Sequence, residues 1–258
     1  MRSRILFMMA VFLLISVPVG FAQAGSGSEV DVDEKLGDTV ALDIPLKDEN
    51  GGDVTLRELV DRPTILIFNY FRCPGICPIL LTSVVNVVNE MSLEPGTDYR
   101  LVAVSFDPTD TPESARQKKA NYLNMMRRSF PPDAWSFLTG TAENTREVAD
   151  STGYGYRKQG ENMFMHPGVI IILTPEGVIS RYIYGTSYLS AEVAMAIKEA
   201  AAGEVRPTIS KVLAFCYSYD PEGRQYVFSI TRLFGAVILA LVVIFMVFVV
   251  FKRKRSAG

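Results

Sequence analysis

Residues 64–70 (Thr-Ile-Leu-Ile-Phe-Asn-Tyr) form an uncharged β-branched and aromatic run that leads within three residues into Cys73-Pro74-Gly75-Ile76-Cys77-Pro78. Such a run predicts a strand covered on both faces. Beyond the cysteines, Ile79, Leu80, Val84, Val87, Val88 and Met91 recur at helical spacing with a wide apolar surface, so a largely buried helix follows. Two cysteines four residues apart therefore sit on a strand-to-helix turn. Pro74 and Gly75 bend the loop between them, and Pro78 disfavours helical dihedrals at Cys77, which is expected to act as an N-cap. A thiol at a helix N-terminus ionises more readily, and the thiolate is the form that binds metal or attacks a disulfide.

The remaining chain supplies a sheet for that strand. Alternation over 39–46, the turn-rich Asp48-Glu49-Asn50-Gly51-Gly52-Asp53 and Val54 predict an N-terminal hairpin, with Thr55 capping a short helical turn over 56–60. A second buried strand is expected over 100–106. Thr111-Pro112-Glu113 then starts a helix, with a good N-cap, proline at the first position and an acid at the positive end of the dipole. A short strand over 135–138, a helix over 143–151 closed by Gly153, an alternating strand over 164–173, the Pro175-Glu176-Gly177 turn, a strand over 178–184 and a helix capped by Ser190 complete the order. Strand–helix–strand units imply a parallel centre, and the last hairpin adds antiparallel strands. The expected class is α/β with a thioredoxin-like fold. In that layout Met165-His166-Pro167 lies across from the cysteine turn.

The ends read differently. A basic start, an apolar run over 5–19 and Ala22-Gln23-Ala24 predict a cleaved signal peptide over 1–24, with cleavage after Ala22 as the other option. Residues 25–38, with Gly25-Ser26-Gly27-Ser28 and an acidic stretch, predict a flexible arm before the domain over 39–203. After a juxtamembrane segment over 204–232, residues 233–251 carry no charge and precede Lys252-Arg253-Lys254-Arg255 in a basic cytoplasmic tail over 252–258. About 19 residues at ~1.5 Å each approach the ~30 Å hydrocarbon core. The expectation is a C-terminal transmembrane helix in a bacterial inner membrane, with the domain in the periplasm, where cysteine pairs tend to oxidise. The net charge of −2, with no basic stripe in the body of the chain, excludes nucleic acid as a partner.

Of three cysteines and one histidine in the chain, Cys73, Cys77 and His166 are the candidate site. Two thiolates and an imidazole form a soft set: the thiolates favour Cu(I), zinc or iron–sulfur centres, and the imidazole adds affinity for Cu(II). An iron–sulfur cluster calls for more cysteines. A Cys₂His zinc site, a plain disulfide and two inert packed thiols stay open at this level. A peroxidatic site is disfavoured, because Tyr70 stands where a threonine or serine is expected. Asp107, at the end of a parallel strand, is expected either to accept a hydrogen bond from a ligand or to pack the start of the helix. Met163 and Met165 alternate away from His166. Cys216 reads as packing between domain and membrane.

Tyr70 to Pro78, Ser105-Phe106-Asp107-Pro108-Thr109-Asp110-Thr111-Pro112-Glu113, Leu138-Thr139-Gly140, and His166 leading into Ile170-Ile171-Ile172-Leu173-Thr174-Pro175-Glu176-Gly177 together resemble the Sco/SenC family. These are membrane-anchored, thioredoxin-like copper proteins that serve cytochrome c oxidase assembly. The likeness covers roughly residues 40–200. It implies that Cys73, Cys77 and His166 bind copper, Cu(I) or Cu(II), received from a donor protein. The acceptor it implies is the dinuclear copper site of cytochrome c oxidase subunit II or another copper acceptor. A thiol–disulfide reductase, with Cys73 and Cys77 as its redox pair, is the alternative. Two positions depart from the pattern: Gly75 stands where many members have an acid, and Pro167 replaces the serine or threonine after the histidine, where a cis bond is possible. The C-terminal anchor is also unlike the N-terminal one of many relatives.

Overall fold

The computed structural model describes residues 30–207 except 74, 161 and 162, the backbone of 217–220 and 225–228, and the isolated positions 238 and 242. A two-residue hairpin, β1 (Leu46–Lys47) and β2 (Asp53–Val54), precedes the short helix α1 (Leu56–Leu59). Next come β3 (Thr64–Asn69), α2 (Ile76–Glu90), β4 (Arg100–Ser105) and α3 (Pro112–Leu123). They are followed by β5 (Trp135–Leu138), α4 (Ala142–Ser151), and the pair β6 (Arg157–Lys158) and β7 (Phe164–Met165). β8 (Val169–Leu173), β9 (Ile179–Tyr184) and α5 (Ser190–Ala201) close the domain. The central sheet runs β5-β4-β3-β8-β9, parallel across β3, β4 and β5 and antiparallel from β3 to β8 to β9. This is the mixed sheet expected of the thioredoxin-like class.

Period-two alternation divides the core. Ile65 and Ile67 of β3 face one apolar layer with α2, α3 and α5, while Leu66 and Phe68 face a second built from the hairpin, α1, α4, Tyr154, Tyr156 and Phe164. All six residues of β3 are buried, as an uncharged run between two layers requires. Each fully buried Leu, Ile or Val contributes about 1.5–3 kcal/mol. Helix starts follow local chemistry. Thr111 accepts from the Ser114 amide at 3.3 Å, and Glu58 Oε2 takes the Thr55 amide at 2.8 Å in a capping box.

Several expectations are corrected. Cys77 is not an N-cap: Gly75 holds that position and Cys77 is the second helical residue. Pro78 costs nothing there, because the first four amides of a helix lack intrahelical acceptors in any case. Pro74 lies outside the described residues. The predicted strand over 164–173 is broken at His166-Pro167-Gly168 into β7 and β8. No described peptide bond is cis, so Pro167 is trans. Leu189, not Ser190, precedes the last helix as its N-cap.

The acidic stretch expected as a loose arm is instead a strap along the domain from Val30 onward. Asp33 donates its amide to the Gly153 carbonyl at 2.9 Å, Gly155 to Asp31 at 2.8 Å, Gly37 to Ile179 at 3.0 Å and Val40 to Gly177 at 3.0 Å. The strap thereby covers the exposed edge of β9, while the first hairpin covers β5 through a reciprocal Lys47–Thr139 pair at 2.8 and 2.9 Å. Gly153 is the tight point: φ is +67°, and a Cβ there would lie 1.8 Å from the Asp33 carbonyl oxygen. Gly153→Ala is accordingly expected to cost at least about 2 kcal/mol in denaturant melts, the strain of a left-handed alanine plus a displaced strap.

The inner-membrane placement with a single C-terminal span and a periplasmic domain is also corrected. Among the described residues no helix is long and apolar enough to cross a membrane. The longest helix of the domain, α2, has 15 residues, whereas a span needs ~20. The stretch 1–24 read as a signal peptide, Cys216 and the tail 252–258 lie outside the described residues, as does the run 233–251 apart from Ile238 and Val242. Within the segment 204–232, β10 (Tyr217–Asp220) and β11 (Gln225–Phe228) pair as an antiparallel hairpin.

Candidate metal centre

The loop that carries the cysteines is fixed by Asp110. Once β3 ends at Asn69, the chain turns, with the Cys73 amide donating to the Tyr70 carbonyl at 3.3 Å. The Phe71 amide and the Ser105 hydroxyl both donate to Asp110 Oδ2, at 2.7 and 2.6 Å. Asp110 is buried, and desolvation raises its pKa above the ordinary carboxylate value. Removing it leaves two buried donors without an acceptor, so Asp110→Ala is expected to lose about 2–4 kcal/mol of stability by chemical denaturation. Sequence reasoning passed over Asp110. The signal was the second acid of Asp107-Pro108-Thr109-Asp110, but burial and partners cannot be read from spacing.

Asp107 is placed one step from the loop. Its Oδ1 accepts from the Thr109 amide at 2.9 Å and hydroxyl at 2.6 Å, and its Oδ2 lies 3.6 Å from Arg72. It thus packs the start of α3 and meets Arg72, the residue that precedes Cys73. Arg72 also lies 3.7 Å from Asp110 and touches the Thr109 hydroxyl.

His166 arrives by strand register. β3 and β8 pair with Ile67 opposite Ile170, and continuing that register past the strand ends brings His166 level with Phe71. The break at Pro167-Gly168 frees the imidazole from the ladder and lets it turn toward the cysteines. Its Nε2 lies 3.2 Å from Cys77 Sγ, and the donor atoms of Cys73, Cys77 and His166 all fall within 4.8 Å of one another. On the other side of the ring, Nδ1 lies 2.8 Å from the Tyr154 hydroxyl, which donates to the Pro167 carbonyl at 3.0 Å. Phe106 and Tyr70 stand edge-on to the ring, with centroids at 5.3 and 6.0 Å. Tyr154 is the second residue that sequence reasoning missed; its place between Gly153 and Gly155 was the only available sign. Met163 and Met165 are exposed, and Met165 Sδ turns to Arg157.

The two thiols differ. Both are free and buried. Hydrogen bonding from the Cys77 thiol pulls Cys73 down to about 3 against the opposing effect of burial, with the Gly75 amide 3.4 Å from its sulfur. The same bond and burial push Cys77 up. Of the two, Cys73 is shifted toward the thiolate and Cys77 toward the thiol.

These donors fit a soft metal. With metal–sulfur and metal–nitrogen distances of about 2.3 and 2.0–2.1 Å, two ligands of one ion are at most ~4.6 Å apart, so the observed spread closes onto one ion with little movement. Two thiolates with an imidazole suit copper or zinc rather than a hard cation.

A thioredoxin-like sheet that presents a dithiol turn, with a histidine folded back onto it, defines the class. The chain belongs to the SCO1/SenC family, whose profile matches residues 33–202. It is similar to the SCO1 protein homolog of Bacillus subtilis, at 25% identity over 52% of this chain and 67% of that protein. The mitochondrial SCO1 homolog 1 of Arabidopsis thaliana is 29% identical over 50% of this chain and 37% of that one. Among solved structures, an Aquifex aeolicus protein is 31% identical with a TM-score of 0.59, covering 66% and 95% of the two chains. Arabidopsis thaliana ScoI, solved with copper bound, is 26% identical with a TM-score of 0.50 over 62% and 96%.

Proposed function

We propose that this protein binds one copper ion through Cys73, Cys77 and His166 and passes it to an acceptor in cytochrome c oxidase assembly, the dinuclear copper site of subunit II being the leading candidate. One observation carries the reading: three soft donors, two on one turn and the third, His166, 89 residues beyond Cys77, lie within 4.8 Å of one another. The copper-bound Arabidopsis relative supports copper over zinc as the cargo. Three protein donors leave a coordination position open for an incoming thiolate or imidazole, so copper can move by stepwise ligand exchange. The full chain loaded with Cu(I) and mixed with a reduced, metal-free subunit II copper domain should lose its copper to that domain. Retention of copper under those conditions would rule out delivery to this acceptor.

The asymmetry of the thiols favours a second reading, a thiol–disulfide reductase acting on the same acceptor. The Cys73 thiolate attacks an acceptor disulfide and forms a mixed disulfide, and the released acceptor thiolate takes a proton. Cys77 then gives up its proton and attacks Cys73 sulfur, which forms the Cys73–Cys77 disulfide and releases the second acceptor thiol. Copper binding and this reaction compete for one pair of sulfurs. Supplying the acceptor in its disulfide form and counting free acceptor thiols separates the two.

A further inference from the structure

The imidazole of His166 carries its proton on either nitrogen when neutral, and only the bare nitrogen binds a metal. Tyr154 decides between them. Its hydroxyl has a single hydrogen, and two acceptors lie in reach: the Pro167 carbonyl oxygen at 3.0 Å and Nδ1 at 2.8 Å. Nδ1 is itself 3.1 Å from the same carbonyl oxygen. Were the phenol to donate to Nδ1, that carbonyl would lose its hydroxyl donor. With the phenol donating to Pro167, its oxygen offers only lone pairs to Nδ1, and both contacts of Nδ1 are satisfied once Nδ1 carries the hydrogen.

We infer that Tyr154 is a positioning residue that holds His166 as the Nδ1–H tautomer, leaving Nε2 bare beside Cys77 for a metal. The consequence for copper rests on the proposed function; the tautomer itself does not. Tyr154 cannot swing away. It is 1% exposed and stacks on Phe68 with ring centroids 4.7 Å apart. Its backbone is clamped on both sides by the strap, where Val32 bridges to Tyr154 and Asp31 and Asp33 bond Gly155 and Gly153. The N-terminal strap thus orients His166 through one phenol.

The chain has a single histidine, so the imidazole nitrogens of the full chain labelled with ¹⁵N need no assignment. Long-range ¹H–¹⁵N correlation of the reduced, metal-free protein, at a pH where the ring is neutral, should show the Nδ1–H pattern. Tyr154→Phe keeps the ring packing and removes the hydroxyl; it should shift the imidazole toward Nε2–H. The same variant should weaken Cu(II) binding about 10–100-fold, the usual effect of losing a partner to a ligating histidine. An Nε2–H imidazole in the wild type, or one tautomer in both proteins, would overturn the inference; equal Cu(II) affinity would overturn its consequence for copper. Wild-type protein that showed the Nδ1–H tautomer but bound no copper would remove the copper reading and leave the tautomer standing.

Discussion

Cys73→Ser and Cys77→Ser should each lower the copper affinity of the reduced protein by on the order of 10²–10³-fold. The magnitude follows from a ligand count: structural zinc sites of similar donors bind with about 10–16 kcal/mol over four ligands, so each contributes ~2.5–4 kcal/mol, and 1.4 kcal/mol is a factor of ten. A serine hydroxyl is a hard, protonated donor and does not replace a thiolate for a soft ion. The two variants should differ in redox chemistry. Cys73→Ser removes the group whose thiol is pulled lowest and should abolish attack on a disulfide, whereas Cys77→Ser should stop at a trapped mixed disulfide. Competition against a chromophoric Cu(I) chelator and mass analysis of the mixed disulfide check both halves.

His166→Ala should weaken Cu(II) binding by on the order of 10²-fold or more and Cu(I) binding by less, because the thiolates carry most of the affinity for the softer ion. Disulfide formation between Cys73 and Cys77 should survive it, since the nearest imidazole atom is 3.2 Å from the buried sulfur and not part of the bond that forms. The variant therefore separates a metal carrier from a pure reductase. A Cu(II) spectrum unchanged by His166→Ala would remove the histidine from the site. Loss of the disulfide reaction together with copper would show that the change reached the cysteines and not only the metal.

Legibility in the sequence followed the range of each interaction. The strand over 64–70, the buried helix after the cysteines and the Thr111-Pro112 helix start depend on neighbours within a few positions, and the structure has them at β3, α2 and α3. Thioredoxin-like order placed His166 opposite the dithiol turn, and register brings it there. What escaped was set by partners far along the chain. Asp110 matters because the Phe71 amide, 39 residues earlier, comes to it in the folded state. Tyr154 matters because its hydroxyl meets His166 and Pro167 across a loop. The acidic residues 31–34 read as a solvated arm, since composition cannot report that their backbone, rather than their side chains, bonds to Gly153 and Gly155. Cys77 lies two positions further into the helix than an N-cap, because Pro78 falls in the first turn, where its missing amide leaves no intrahelical bond unmade.

Copper titration of the full chain, prepared once as the dithiol and once as the Cys73–Cys77 disulfide, tests the central claim most directly. The reduced protein should take up one copper per chain and the oxidised protein essentially none, because the disulfide consumes two of the three donors. Equal uptake by both forms would place copper elsewhere and contradict the site.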